Sequence, residues 1–443
     1  MFRLAWIRRS LGLCCLALVV ASVGCRQDSA QWKVAAGNNA AAAGNSEEAI
    51  ELFQEALRMD PDSDSIKLRL AYLLAANDQG DLGLTLCNEV LESDPRDKYA
   101  LRVRSECLQY LGRFQEALVD YQKFAADKID KGTRELNALA YYRALAGYEL
   151  DKAYRQIDTA IGKYESRHWG GFSNVPIEVS SVVSAALVSR HTDEGHHLVM
   201  DLLGDMIHLE QQRWLLGKTR LDSVIDAQED SDDDIDEVQV DRQQVELNQA
   251  AKQSESLAGN LMILLAARSL ILEDQGQFEL ADLDRLWLKR INYQPEELYN
   301  RLPGDNECLA ALLESQNYLD TRGFVLTQLP WQPTWTHPSG KVTRMFDRKS
   351  LVSYGSYARA LHDLDIAVTS AEMRLLALNS DVFNRMERPV DAIRHYKVSE
   401  TKVLAVLLSH RREAHLKAGQ SEAAERDLLR IQELGFEADS NLF

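Results

Sequence analysis

Proline is scarce, nine in 443 residues, and aromatic side chains make up only 7%. A sandwich or barrel needs many tight turns and many aromatic or β-branched strand positions, so this scarcity favours helix. Cysteine is scarcer still: of six, Cys14 and Cys15 sit in an apolar N-terminal run, and beyond Cys25 only Cys87, Cys107 and Cys308 remain. Three is an odd number and builds no complete disulfide framework. Cys87 and Cys107 fall on neighbouring helices and would bond only with Cα atoms within about 7 Å, so their pairing stays open. Positive charge is also short, 50 Lys and Arg against 68 Asp and Glu, a net −18. Nucleic acid, which needs clustered cations, is not an expected partner. Catalytic motifs are missing as well: no Gly-rich phosphate loop, no Gly-x-Ser-x-Gly elbow, no His-Glu-x-x-His and no Cys-x-x-Cys. The expectation is a protein that is not an enzyme, with no cofactor, no metal and no identified small-molecule substrate.

The apolar run Leu11 to Val23 is 13 residues, short of the ~20 that span a bilayer. It follows the basic "MFRLAWIRR" and ends in Ser22-Val23-Gly24-Cys25 before the polar "RQDSAQ". That order is the order of a signal peptide over 1–24. The ending resembles the lipobox of bacterial lipoproteins, in which the cysteine thiol is acylated; Ser22 departs from the aliphatic residue usual three before it. The resemblance implies lipidation at Cys25, a membrane anchor and a place in the cell envelope facing the periplasm. Arg26 follows Cys25 where inner-membrane retention often shows Asp, which favours the outer membrane. A cleaved signal without lipid is the alternative.

What is present is a spacing. Ala49, Gly83 and Ala117 stand 34 apart, as do Phe53, Cys87 and Tyr121, and the turn residues Gly44, Asp78 and Gly112. A fourth unit follows with a two-residue slip and puts Ala153, Ile157 and Ala160 on the same face. Between turns, apolar residues recur at three and four, as amphipathic helices require. Two helices cross closely only where one offers Ala or Gly, and a larger side chain then fills the space against the next unit. Pro61 and Pro95 end the second helix of their units.

These units resemble tetratricopeptide repeats. The first carries Gly37, Gly44, Ala49, Phe53, Ala56 and Pro61, and the third Gly112, Phe114, Ala117 and Tyr121. Later copies carry Gly276, Phe278, Ala281, Leu288 and Pro295, then Gly419, Ala424, Leu428 and Ile431; Asn317 to Leu329 and Tyr357 to Val368 resemble a first and a second helix. Val90 and Phe124 stand where a small residue is usual. The resemblance implies an all-α solenoid of stacked antiparallel helix pairs wound into a superhelix, in one array or two halves, with about five to eight repeats. The expected organisation is a repeat array over 25–165, divergent helical repeats over 166–218, an acidic linker or loop over 219–256, and a second array over 257–443 interrupted by a Trp/Pro-rich insertion at 329–355.

Three local signals compete with blander readings. Residues 222–241 hold ten acidic side chains and no basic one; Asp230, Asp232 and Asp234 alternate as in a calcium loop, but Ile235 replaces its Gly and Asp241 its Glu, so a solvated acidic segment is expected. His191, His196 and His197 beside Asp193 and Glu194 are read as exposed turn residues, since Gly195 breaks any one-turn ligand spacing. Trp331 and Trp335 lie in the insertion and either cover the flank of the array or bind a partner.

By resemblance, partners bind on the inner helix of each unit. Carried onto this chain, the groove candidates are Asn38, Tyr72, Tyr99, Arg102, Glu106 and Tyr142, residue types that anchor peptides. The expected function is an exported, lipid-anchored scaffold for protein or peptide partners. An envelope enzyme with its site in the divergent middle or the insertion, and a chaperone-like adaptor for exported proteins, are the rivals.

Overall fold

The computed structural model describes residues 29–42, 45–126, 132–166, 175–190, 196–229, 237–293, 302, 304–329, 357–379 and 397–436. Cys25, Trp331, Trp335, His191, Asp193, Glu194 and the alternating aspartates from Asp230 lie outside them. Sixteen helices and no strand occur among the described residues.

Eight helices form four consecutive antiparallel pairs: α1 (Ala30–Ala42) with α2 (Ser46–Met59), α3 (Asp64–Ala76) with α4 (Gly80–Ser93), α5 (Lys98–Tyr110) with α6 (Phe114–Ala125), and α7 (Thr133–Leu145) with α8 (Leu150–Glu165). The 34-residue spacing has its physical cause at the crossings. Ala49, Ala117 and Ala153 have no exposed surface, and a Cβ on Gly83 would stand 2.6 Å from the Ala71 carbonyl oxygen of α3. Phe53, Cys87 and Ile157 fill the adjoining space, and Gly37 leaves room for the Phe53 ring, whose nearest atom would lie 3.1 Å from an added Cβ. At the turns Gly112 takes φ 69°, and Asp78 takes φ 60° in its place, a conformation that costs a residue with a side chain.

Beyond α8 the chain ceases to stack in sequence order. The next helix on α7 and α8 is α13 (Asp305–Gln328), followed by α14 (Tyr357–Asn379), α15 (Lys397–Lys417) and α16 (Ser421–Glu433). Gly323 admits this approach: a Cβ there would meet Leu364 at 2.6 Å and the Ala360 carbonyl at 3.0 Å. On the far side of α13 and α14 lies α9 (Ile177–Ser189), all of whose residues are buried. A helix that is apolar or small at all but one position is a core helix. Ser180 and Ser181 are satisfied internally: Ser181 meets Ser370 at 2.8 Å and Ser315 at 3.0 Å, and Ser180 meets the Tyr164 hydroxyl at 3.1 Å, while the buried Ser184 hydroxyl has no partner among the described residues.

Packed on α9 are α10 (His196–Glu229) and α11 (Glu237–Asp274), a long antiparallel hairpin, with α12 (Phe278–Arg290) against α11. Residues 219–229 and 237–256 are helical where a linker or loop was expected, and the side chains over 219–228 and 242–256 face mostly solvent. Residues 242–274 are long and apolar enough to cross a membrane, but over half of the most apolar window is buried against the rest of the fold.

The packing divides the molecule. Between α1 and α7 each helix pair shares a small apolar cluster only with its neighbours, as a solenoid does. From α7 to α16 one continuous core runs from Leu136 to Ile431. Cys87 and Cys107 are buried and free; the contact with Cys107 and burial push the Cys87 thiol upward, which keeps it unreactive.

Three pairs carry the same ionic staple. Arg104 holds Asp120 at 2.6 and 2.9 Å, Arg268 holds Asp284 at 2.8 and 2.6 Å, and Arg411 holds Asp427 at 3.1 and 2.6 Å. In each the Arg precedes the turn glycine by eight residues, the crossing alanine by 13 and the Asp by 16. A planar fork on a buried carboxylate fixes the crossing angle as well as adding energy.

Candidate functional site

The inner helices of the third and fourth pairs meet α13 and α15 around a cavity of about 710 Å³. Helix α5 contributes Arg102, Glu106, Gln109 and Tyr110, and α6 adds Tyr121 and Phe124. From α7 come Arg134, Glu135, Asn137, Tyr141 and Tyr142; α13 supplies Asn317, Asp320 and Thr321, and α15 supplies Lys402, Val403 and Val406.

The floor is aromatic. Tyr121 lies 5.0 Å from Tyr142 and 5.3 Å from Phe124 between ring centroids, separations at which ring edges and faces attract. Tyr142 is 4% exposed and its hydroxyl lies 3.4 Å from that of Ser105. Burial raises the phenols of Tyr110 and Tyr121 to about 12 and that of Tyr141 well above the ordinary value, so all stay neutral donors. The Lys402 ammonium sits 5.1 Å from the centre of the Tyr110 ring.

The polar groups are mixed in sign: Arg102, Arg134 and Lys402 against Glu106, Glu135 and Asp320. Arg102 Nε donates to Glu106 Oε1 at 3.1 Å. Burial raises the Glu106 carboxyl, against the opposing pull of Arg102. Its second oxygen, Oε2, and the Asn137 side-chain oxygen are both buried and accept no hydrogen bond. Two orphaned acceptors beside an aromatic floor suit a ligand that brings N–H donors, as an extended peptide backbone does. Beneath the wall Asp320 meets His410 Nδ1 at 2.8 Å, and His410 stacks on Phe324 at 4.1 Å; His410 is 1% exposed and supports the wall from behind.

Of the six groove candidates the structure brings Arg102, Glu106 and Tyr142 into this cavity, Tyr142 as buried floor rather than exposed anchor. Tyr72 and Tyr99 are 43% and 46% exposed on α3 and α5. Neither lines the cavity, but Tyr72 lies near Tyr110 and Tyr99 near Arg102. Asn38 lies apart and accepts from Arg69 at 2.8 Å. Trp331 and Trp335 fall outside the described residues. Missed were Tyr110, Tyr121, Tyr141, Arg134, Asn137 and, on the opposing wall, Asn317, Asp320 and Lys402. Asn317, Asp320 and Thr321 share one helix face by their spacing, which was a usable signal. Among the described residues no group of three His, Cys, Asp or Glu is placed to hold a metal ion.

Comparison with known proteins finds a repeat family and two likenesses. Residues 40–107 match the tetratricopeptide-repeat family, so α2 to α5 carry tetratricopeptide repeats. A stretch of 136 residues is 26% identical to chicken (Gallus gallus) DnaJ homolog subfamily C member 3, covering 26% of this chain. That stretch spans about a quarter, 27%, of the relative's length. The crystal structure of the P58(IPK) TPR domain aligns over 93% of this chain and 95% of its own at 17% identity and a TM-score of 0.22. Paired antiparallel helices in repeated units are what the family match and the fold have in common.

Proposed function

We propose that this chain is an exported, lipid-anchored scaffold that binds an extended segment of a protein partner in the cavity between α5–α7 and α13/α15. The observation that carries the reading is the pair of orphaned acceptors, Glu106 Oε2 and Asn137 Oδ1, lining the same cavity as Tyr110, Tyr121 and Tyr142. A buried acceptor left unmade costs about 1–3 kcal/mol, which a partner's N–H recovers on binding. Charge of both signs on the walls suits a peptide better than a single-sign ligand. Tyr72 and Tyr99 give the bound segment a path along the array.

Export and anchoring rest on the signal-like leader and on Cys25, with a place in the envelope facing the periplasm. Metabolic labelling with a fatty-acid probe tests the anchor: label lost in Cys25→Ser supports it, and an unlabelled wild-type protein contradicts it. For the cavity, the partners captured by the mature protein are compared with those of a Tyr121→Ala/Arg134→Glu variant. Loss of a stoichiometric partner, with affinity down at least tenfold, is expected; an unchanged partner set places binding elsewhere.

A further inference from the structure

Helix α12 carries three leucines where its sister helices mix polar and apolar residues. Aligned on the crossing alanine and the stapled aspartate, Leu280, Leu283 and Leu286 occupy the positions of Glu116, Val119 and Gln122 in α6 and of Ala423, Arg426 and Leu429 in α16. The three leucines are 51%, 56% and 60% exposed. A spacing of three keeps them on one stripe. At its end Trp287 packs edge-on against Trp214 of α10 at 6.3 Å. On α10, Leu215 and Leu216 are 40% and 70% exposed. Three exposed leucines on one stripe mark a contact surface.

The charges on the stripe name its occupant. Glu279 and Arg290 lie eleven residues apart, three helical turns, so both fall on the stripe, one at each end. Both are exposed, and the Arg290 guanidinium lies over the Trp287 ring at 4.8 Å. Turned through a two-fold axis at its midpoint, the helix is complementary to itself: Leu283 of one copy faces Leu286 of the other, and Glu279 faces Arg290. Isologous contact requires this self-complementarity.

We infer that α12 pairs antiparallel with α12 of a second copy, making the protein a two-fold dimer through the outer face of this helix, remote from the cavity between α5–α7 and α13/α15. One short helix lies at the low end of interface sizes, so the dimer is a weak, concentration-dependent one.

Sedimentation velocity of the full-length mature protein over a hundredfold concentration range tests it. A rise from monomer to dimer is expected, and Leu283→Glu/Leu286→Glu, all solvent-facing, should raise the dissociation constant at least tenfold with helicity unchanged. Glu279→Lys alone and Arg290→Glu alone should each weaken the dimer, while an equimolar mixture of those two variants restores it, because each supplies the charge the other lacks. A monomer at every concentration, or a dimer indifferent to the leucine and charge changes, overturns the inference.

Discussion

Individual residues show both what spacing reveals and where it stops. Ala49, Gly83 and Ala117 were legible because a helix crossing tolerates only a small side chain, and the structure buries each of them. Tyr142 was legible as an inner-helix residue but not as floor: it stands 36 residues after Glu106 on the same ladder, yet it is buried against Ser105 of α5 and Tyr121 of α6. Glu165 gave no signal at all. It accepts the Ile177 N–H at 3.0 Å, and burial with the nearby Glu178 charge raises its carboxyl to about 7. Glu178 goes the other way: burial opposes ionisation, but Arg322 at 2.6 Å holds it at about 2. A raised carboxyl stabilises the fold below the unfolded value near 4.5, and that contribution is lost as pH rises through 7; the lowered Glu178 contributes above 4.5 and loses it only toward pH 2. Glu165→Gln keeps the acceptor and cannot ionise. Denaturant melts should find it more stable than wild type at pH 8, by about 1–2 kcal/mol, and no more stable at pH 5.

At the scale of helices, the repeated Arg and Asp sixteen residues apart stand in plain view in the sequence but gave no signal there, because a charge pair on paper carries no burial. In the fold each aspartate side chain is at most 5% exposed. Leaving the arginine without its carboxylate in such a place is costly, whereas an exposed pair is worth little. Asp284→Ala should therefore destabilise by about 2–3 kcal/mol in urea unfolding, and Asp282→Ala, whose side chain is 66% exposed, by under about 0.5. Equal effects of the two would remove the staple from the account. The acidic stretch misled for a related reason: like charges repel, but Asp222 and Asp226 face solvent on α10 while the apolar residues nearer the body hold both helices.

For the whole molecule, the α-helical solenoid was legible because its first units repeat in sequence and touch only their neighbours. The cavity was half legible. Its α5–α7 wall follows from the ladder of inner helices, whereas α13 and α15 reach it from more than 150 residues away by displacing α9–α12 from the stack. No local pattern encodes that choice; it arises from one shared core, with the all-buried α9 at its centre. The central claim is that a partner segment lies in this cavity, and position-specific photocrosslinking in living cells tests it most directly. A benzophenone side chain is placed at Tyr121, inside the cavity, and separately at Val119, 48% exposed on the same helix but outside its lining. A discrete adduct with one protein from position 121 and none from 119 is predicted. Adducts absent from 121, or equal from both positions, would contradict the account.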